Sequence, residues 1–176
     1  MLSDQQELHF REAAFAWIRT QQLHKPFFTR DDLSVFEFEG SRHRLIGPYT
    51  GIWKVSSLSD SAIAISTAYV PDGGKRPYED GEGADGLQRY KWRGTDPNQS
   101  DNRALRRAME RKLPLLWLIG IGVVPGTSQQ LFDAPTLQHS IKAMDGQILQ
   151  QIPIEVSSKP DRDLLAERFE KFQKAS

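Results

Sequence analysis

The segment PYEDGEGADGLQRYKWRGTDPNQSDNRALRRAM, residues 77–109, decides how this chain is interpreted. It begins as an acidic, Gly-rich loop and continues at 87–94 with the alternation of a strand. The alternation places two aromatic residues on one face and three cations on the other: Tyr90 and Trp92 against Arg89, Lys91 and Arg93. Neighbouring like charges repel one another unless an anion lies alongside. The pattern therefore predicts a strand with an aromatic face and a face suited to phosphate.

A helix is predicted directly after this strand, at residues 101–112, with Ser100 or Asp101 as its cap. Its apolar stripe comprises Ala104, Leu105, Ala108 and Met109, and four arginines lie on or beside the opposite face: Arg103, Arg106, Arg107 and Arg111. Asn102 and Arg103 are closest to the preceding loop, so they are better placed than Arg111 to contact a ligand. An aromatic loop and strand surrounded by cations suit the flat bases and the phosphates of nucleic acid.

The composition indicates that cationic residues form a local surface and do not cover the whole protein. Lys plus Arg and Asp plus Glu both number 23, which argues against non-specific coating of nucleic acid. The absence of cysteine excludes disulfides and thiolate metal sites, and we expect a cytoplasmic protein. The longest apolar run, residues 113–124, is too short to span a bilayer and predicts a buried strand.

The remaining segments predict an α+β, barrel-like domain. Ser3 and Gln6 have capping-box spacing at the start of a helix over 3–23, whose buried stripe is expected to include Leu8, Phe15 and Ile18. Strand patterns lie at 34–39, 44–46, 61–70, 129–132 and 148–156, and helix patterns lie at 134–143 and from Pro160 onward. One domain spans 1–176, with a first helix in 1–25, a barrel in 34–156 and a last helix in 160–174.

Catalytic motifs are weak in this sequence. The histidines at 9, 24, 43 and 139 lack metal-ligand spacing, and GEGADG at 81–86 precedes a strand instead of a helix, so it is no dinucleotide fingerprint. A loose nuclease pattern joins Asp96 or Asp101 to Glu110 and Lys112, but it ends on a helix where a strand is expected. We predict neither a metal site nor a cofactor.

The motifs PYEDGEGADG, YKWRGTDP and DNRAL resemble the SRA (SET- and RING-associated, or YDG) domain of the PUA-like superfamily. The resemblance is closer to bacterial SRA-like domains that precede HNH nuclease modules in modification-dependent restriction endonucleases. It extends over roughly residues 10–130, including GIWK (51–54), SAIAIST (61–67) and the PLLWLIG strand. It implies a twisted β-barrel flanked by helices.

SRA domains flip a modified cytosine out of the duplex and hold it between two aromatic rings. The resemblance makes Tyr78 and Trp92 the two rings, and Asp80 the carboxylate that accepts from the cytosine amino group, although the family spacing falls on Gly81. A second register replaces Tyr78 and Asp80 by Tyr69 and Asp72. Small residues on the 61–70 strand are candidates for the wall that meets the 5-substituent: Ala62, Ala64, Thr67 and Ala68. Contacts to the DNA backbone are expected from Lys54, Arg89, Lys91, Arg93, Asn102 and Arg103.

These features predict a non-catalytic reader of 5-methyl- or 5-hydroxymethylcytosine in double-stranded DNA. Base flipping by this domain would target a nuclease in restriction-modification defence against phage. No HNH module follows residue 130, so an HNH-type nuclease domain or subunit is the expected partner, and no membrane is involved. Dimerisation remains open. The alternatives are a PUA-like RNA-binding domain and a metal-dependent nuclease.

Overall fold

The computed structural model describes residues 2–74, 81–82, 88–91, 93–134, 136–137 and 142–144. Within these ranges the chain forms helices α1 (Asp4–Gln22) and α2 (Ser100–Glu110) and a 3-10 turn at Asp32–Ser34. The strands of the same ranges are β1 (Phe36–Phe38), β2 (Ser41–His43), β3 (Ile52–Trp53), β4 (Ala64–Thr67), β5 (Gly81–Glu82), β6 (Gln88–Lys91), β7 (Leu115–Val123), β8 (Gln130–Asp133), β9 (Thr136–Leu137) and β10 (Lys142–Met144). The predicted α+β class is confirmed.

The strands form a hairpin and two larger sheets. In the largest sheet the order is β3-β4-β7-β8, with β9 also paired to β7. Its central pair, β4 and β7, is parallel, and the other pairs are antiparallel. The smaller sheet has the order β10-β6-β5, and β1 pairs with β2 alone. Among the strands that the structure describes, no sheet closes on itself.

Strand β7 is apolar over most of its length because both of its faces are covered. Leu116 and Leu118 point into a core formed with α1 and the β1–β2 hairpin. Leu115 and Trp117 point into a second core that includes α2 and Tyr90 of β6. Alternate side chains of one strand therefore supply two hydrophobic cores, and the large sheet lies between α1 and α2.

Helix α1 begins at the predicted cap. The Ser3 hydroxyl accepts from the Gln6 backbone N–H at 3.3 Å, and the Gln6 side chain accepts from the Ser3 N–H at 3.0 Å. The predicted stripe is partly wrong, because Leu8 is 42% exposed whereas Glu7 and Arg11 are buried. The buried face of α1 therefore carries an ion pair as well as apolar residues. Glu7 is three residues before Phe10, and Arg11 is three residues before Ala14.

The buried Glu7–Arg11 pair joins four parts of the fold. Arg11 is 1% exposed and donates to a Glu7 carboxylate oxygen at 2.8 Å, to Ala62 O at 2.8 Å and to Pro114 O at 2.7 Å. Glu7 also accepts from the Ser59 hydroxyl at 2.6 Å and from Arg111 at 2.7 Å. The pair thus links α1 to the segments that lead into β4 and β7 and to the end of α2.

The Glu7 carboxylate makes stability depend on pH. Burial raises the pKa of Glu7, but the hydrogen bonds from Ser59 and Arg11 and the charge of Arg11 outweigh burial and lower it overall. A lowered pKa stabilises the fold above the unfolded value of about 4.3, and this contribution is lost as pH falls through the folded value. Urea unfolding measured from about pH 6 to about pH 3 should show that the free energy of unfolding decreases as the pH falls.

Two variants test whether Glu7 causes this loss of stability in acid. Glu7→Gln should reduce the pH dependence, because the neutral amide does not titrate. Glu12→Gln changes an exposed carboxylate on the same helix and should retain the dependence of the parent chain. An equal slope in the parent chain and in Glu7→Gln would show that Glu7 does not contribute.

Several boundary predictions are corrected. The helix predicted at 134–143 is wrong, because Thr136–Leu137 pairs with β7 and Lys142–Met144 pairs in parallel with β6. The hairpin partner of β1 is Ser41–His43, slightly before the predicted 44–46. The strand predicted at 148–156 and the last helix at 160–174 lie outside the described residues. Neither helix of the described part has the length and apolarity needed to cross a bilayer.

Candidate nucleic-acid interface

Tyr90 fixes strand β6 against the end of β4. Its ring is 5% exposed in the second core, and its hydroxyl oxygen is 2.9 Å from both Gly51 O and Ser66 O. The phenol therefore donates into a pair of backbone carbonyls that belong to β4 and to the residue just before β3. Tyr90 therefore points into the protein interior, and the chain that follows each strand begins from a fixed position.

The chain at residues 67–69, at the end of β4, packs directly against strand β7. Thr67, half-buried, accepts at its hydroxyl from Trp117 Nε1 at 3.1 Å, and the Tyr69 N–H donates to the Gln130 side chain at 3.3 Å. Gly120 of β7 lies directly behind this segment. A Cβ there would be 2.3 Å from Tyr69 N and 2.8 Å from Thr67 O, so only glycine fits. Residues 67–69 are thus held closely against β7.

The small residues of this strand have different environments. Ala68 is exposed, and Thr67 is half-buried. Ala62 and Ala64 are almost completely buried in the two hydrophobic cores, so the expectation that they line a ligand pocket is wrong. Close packing against the cores, and not a cavity, explains why small side chains occur at 62 and 64.

Asn102 closes the loop of residues 93–98 onto the first turn of α2. Its side-chain oxygen accepts from the Arg93 N–H at 2.8 Å. Its amide nitrogen donates to Arg93 O and to Asp96 O, each at 2.8 Å. The residue is 0% exposed. The structure therefore places Asn102 in the interior, with its amide bound to the loop, and not at the surface where the contact with the DNA backbone was predicted.

Further contacts fix the same loop. The Asp96 carboxylate accepts from the Asn98 N–H at 2.8 Å, and Arg106 donates to Pro97 O at 2.8 Å. Gly94 has a φ of +63°, a conformation that favours glycine. Arg93 forms an ion pair with Asp101 at 3.1 Å and remains largely exposed. These contacts fix the backbone of the loop, and the Arg93 side chain extends from it into solvent.

The arginines of α2 divide into two groups along the helix. Arg103 is exposed, and no carboxylate among the described residues pairs with it. Arg107 pairs with Asp60, and Arg111 pairs with Glu7 at 2.7 Å. Arg106 is half-buried and donates to Pro97 O, so Arg103 is the exposed arginine of this helix that no described carboxylate pairs with.

The other predicted residues are only partly covered. Lys54 follows β3 and is half-buried, whereas Arg89 and Lys91 lie on β6 with side chains outside the described part. Tyr78, Asp80 and Trp92, the predicted pocket residues, lie outside the described residues altogether. In the alternative register, Tyr69 is half-buried and Asp72 is exposed in the turn after Pro71. Both registers stay predictions.

The residues of the nuclease pattern do not converge. Asp101 lies in the first turn of α2 and Glu110 is its last residue, so they are separated by roughly 13 Å along the axis, at about 1.5 Å per residue. Asp96 lies near the Asp101 end through its backbone contact with Asn102. A shared metal needs ligands within a few ångströms, and no cluster of three His, Asp or Glu side chains occurs in the described ranges.

Sequence reasoning missed the role of Asn102, although the pattern contained a signal. Asn102 is three residues before Leu105 and seven before Met109, so it lies on the apolar stripe of α2. A polar residue on a buried stripe must find internal hydrogen-bond partners. Glu7 and Arg11 of α1 carry the same signal.

Comparison with known proteins finds no matching family model, no matching curated protein and no matching solved structure.

Proposed function

We propose that this chain is an SRA-like reader of modified cytosine in double-stranded DNA. In this proposal the base leaves the duplex and is held between Tyr78 and Trp92, and Asp80 accepts from its amino group. We also propose that the strands of this chain form an SRA-like barrel. The alternative register, with Tyr69 and Asp72, uses the same strand for the second ring.

The observation that carries the proposal is the anchoring of the described residues on either side of position 92. Two residues before it, Tyr90 is hydrogen-bonded to Gly51 O and Ser66 O. Directly after it, both backbone groups of Arg93 are bound by Asn102. Positioning one ring in advance increases the affinity for an everted base, because ordering that ring during binding would cost free energy.

The distribution of charge supports a duplex ligand that is contacted at few phosphates. Arg93, in the loop, and Arg103, in the first turn of α2, are both exposed, and Arg93 is paired with Asp101 at 3.1 Å. Further along the chain, Arg107 is neutralised by Asp60 and Arg111 by Glu7. A chain with zero net charge and a small cationic surface suits a specific reader better than a protein that coats nucleic acid.

The proposal assigns the chemistry of cleavage to a partner. The Asp96, Asp101 and Glu110 carboxylates do not meet, so this chain itself is proposed to be non-catalytic. An HNH-type nuclease, as a domain or a separate subunit, would act on the DNA that the reader selects. Thr67 and Ala68, at the end of β4, are the proposed contacts to the 5-substituent of cytosine.

A matched pair of arginine variants tests the backbone contact. Arg103→Ala should weaken binding of modified and unmodified duplex by the same factor, and the slope of log K against log salt should decrease by about 0.9, the value for one phosphate contact. Arg107→Ala removes the same charge from the same helix, but its partner is Asp60, so both the affinity and the slope should remain unchanged. Equal effects of the two variants would contradict the assignment.

The function is tested by a binding panel of duplexes that are identical except at one cytosine, which is unmodified, methylated, hydroxymethylated or glucosylated. The proposal predicts tighter binding to the methylated or hydroxymethylated duplex, at constant salt. Single-stranded RNA serves as a competitor. Preference for the RNA would favour the PUA-like RNA-binding alternative, and equal binding of all duplexes would refute the proposal.

A further inference from the structure

We infer that Asn102 is a positioning residue for the proposed base pocket: it acts on DNA recognition through the loop of residues 93–98 and makes no DNA contact itself. The inference rests on the proposed function. It assigns a buried side chain, previously expected at the DNA surface, to control of the modified-base preference.

The hydrogen bonds of Asn102 leave its amide with one orientation. The oxygen faces an N–H donor, that of Arg93, and both amide hydrogens face carbonyl oxygens, those of Arg93 and Asp96. Rotating the amide by half a turn would place its NH2 group against the Arg93 N–H and its oxygen against two carbonyls. Because the residue is 0% exposed, water cannot replace these contacts.

The bound groups connect Asn102 to the proposed ring. The Arg93 N–H belongs to the peptide group that joins Arg93 to Trp92, so the Asn102 oxygen restrains the chain at the position directly after the ring. The other end of the loop is restrained by Arg106, which donates to Pro97 O at 2.8 Å. Both ends of the loop are therefore held by side chains of α2, by Asn102 at Arg93 and by Arg106 at Pro97.

Two substitutions of Asn102 separate its hydrogen bonds from its volume. Asn102→Ala removes all three hydrogen bonds. Asn102→Asp keeps the size and one acceptor oxygen, but it places the second carboxylate oxygen against the carbonyls of Arg93 and Asp96. Asn98→Ala is the matched control, because Asn98 is an exposed amide of the same loop whose backbone N–H, not its side chain, bonds to Asp96.

The experiment combines two measurements on the full chain. Amide hydrogen exchange of residues 93–98 without DNA reports the order of the loop. The ratio of Kd values for unmodified and methylated duplex reports discrimination. We expect both Asn102 variants to lose protection at the Arg93 amide and to lower this ratio by about tenfold, equivalent to ~1.4 kcal/mol. Any loss of affinity for unmodified duplex, through Arg93, should be smaller than the loss for methylated duplex, and Asn98→Ala should change neither measurement.

The outcomes distinguish this inference from the function on which it rests. If the parent chain binds both duplexes equally, the proposed function fails, and the inference fails with it. If the parent chain discriminates and the Asn102 variants lose loop protection but keep the ratio, only the inference is overturned. Loss of the circular dichroism signal in both variants would also overturn it, because Asn102 would then serve the whole fold. An equal loss of discrimination in Asn98→Ala would likewise refute a role specific to Asn102.

Discussion

Trp92→Ala is expected to abolish the preference of this chain for duplex DNA that carries a modified cytosine. Stacking of one base on an aromatic side chain contributes about 1–3 kcal/mol. Unstacking and unpairing the base costs a few kcal/mol, so the loss of one ring makes the everted state unfavourable. Affinity for the methylated duplex should fall by roughly 5- to 150-fold, the factor for that range of free energy.

The phosphate contacts should survive this substitution, because the guanidinium groups of Arg93 and Arg103 are retained. Affinity for unmodified duplex and the salt slope should therefore remain those of the parent chain. Tyr49→Ala is the control, since Tyr49 is an aromatic residue that is 95% exposed outside the proposed pocket. Trp92→Phe keeps a π face and should retain part of the preference. A preference that is unchanged in Trp92→Ala would remove Trp92 from the pocket.

Arg11→Met is expected to cause the largest loss of stability. Arg11 is 1% exposed and is bound to Glu7, Ala62 O and Pro114 O. Its removal would leave the Glu7 carboxylate buried with less compensation, and breaking such a pair costs about 3–5 kcal/mol. Urea unfolding should therefore show a lower midpoint with a similar m-value.

Two further variants isolate the cause. Arg19→Met removes an exposed arginine from the same helix and should change the free energy of unfolding by less than about 0.5 kcal/mol. The double variant Glu7→Leu with Arg11→Met replaces both buried charges by apolar groups and should recover part of the loss. Recovery should be incomplete, because Ser59 and Arg111 also bind Glu7. A loss below about 1 kcal/mol in Arg11→Met would contradict the proposed importance of the pair.

The elements with strong local signals could be predicted from the sequence. The Ser3–Gln6 capping box marks the start of α1, and the stripe of Leu105 and Ala108 identifies the buried face of α2. The apolar run at 113–124 correctly predicted a buried strand, because a strand covered on both faces needs no polar alternation. Residues 134–143 were predicted wrongly, since pairing with β7 and β6 overrides their local helical pattern.

The chemistry of the candidate site was less predictable. A polar residue near a helix start, such as Asn102, has the same sequence appearance whether it faces solvent or closes a loop. The deciding contacts are made with Arg93 and Asp96, and their existence depends on how the loop folds back. Likewise, the sequence does not separate Arg103 from Arg107, because the carboxylate that neutralises Arg107 is Asp60, far away along the chain.

The central claim is that a modified cytosine leaves the duplex and enters a site beside Trp92. The most direct measurement places 2-aminopurine, a base whose fluorescence is quenched by stacking, next to the target cytosine. Addition of the parent chain should raise the fluorescence of the methylated duplex, and neither the unmodified duplex nor the Trp92→Ala variant should show this rise. Saturated binding to the methylated duplex without any rise in fluorescence would contradict base flipping.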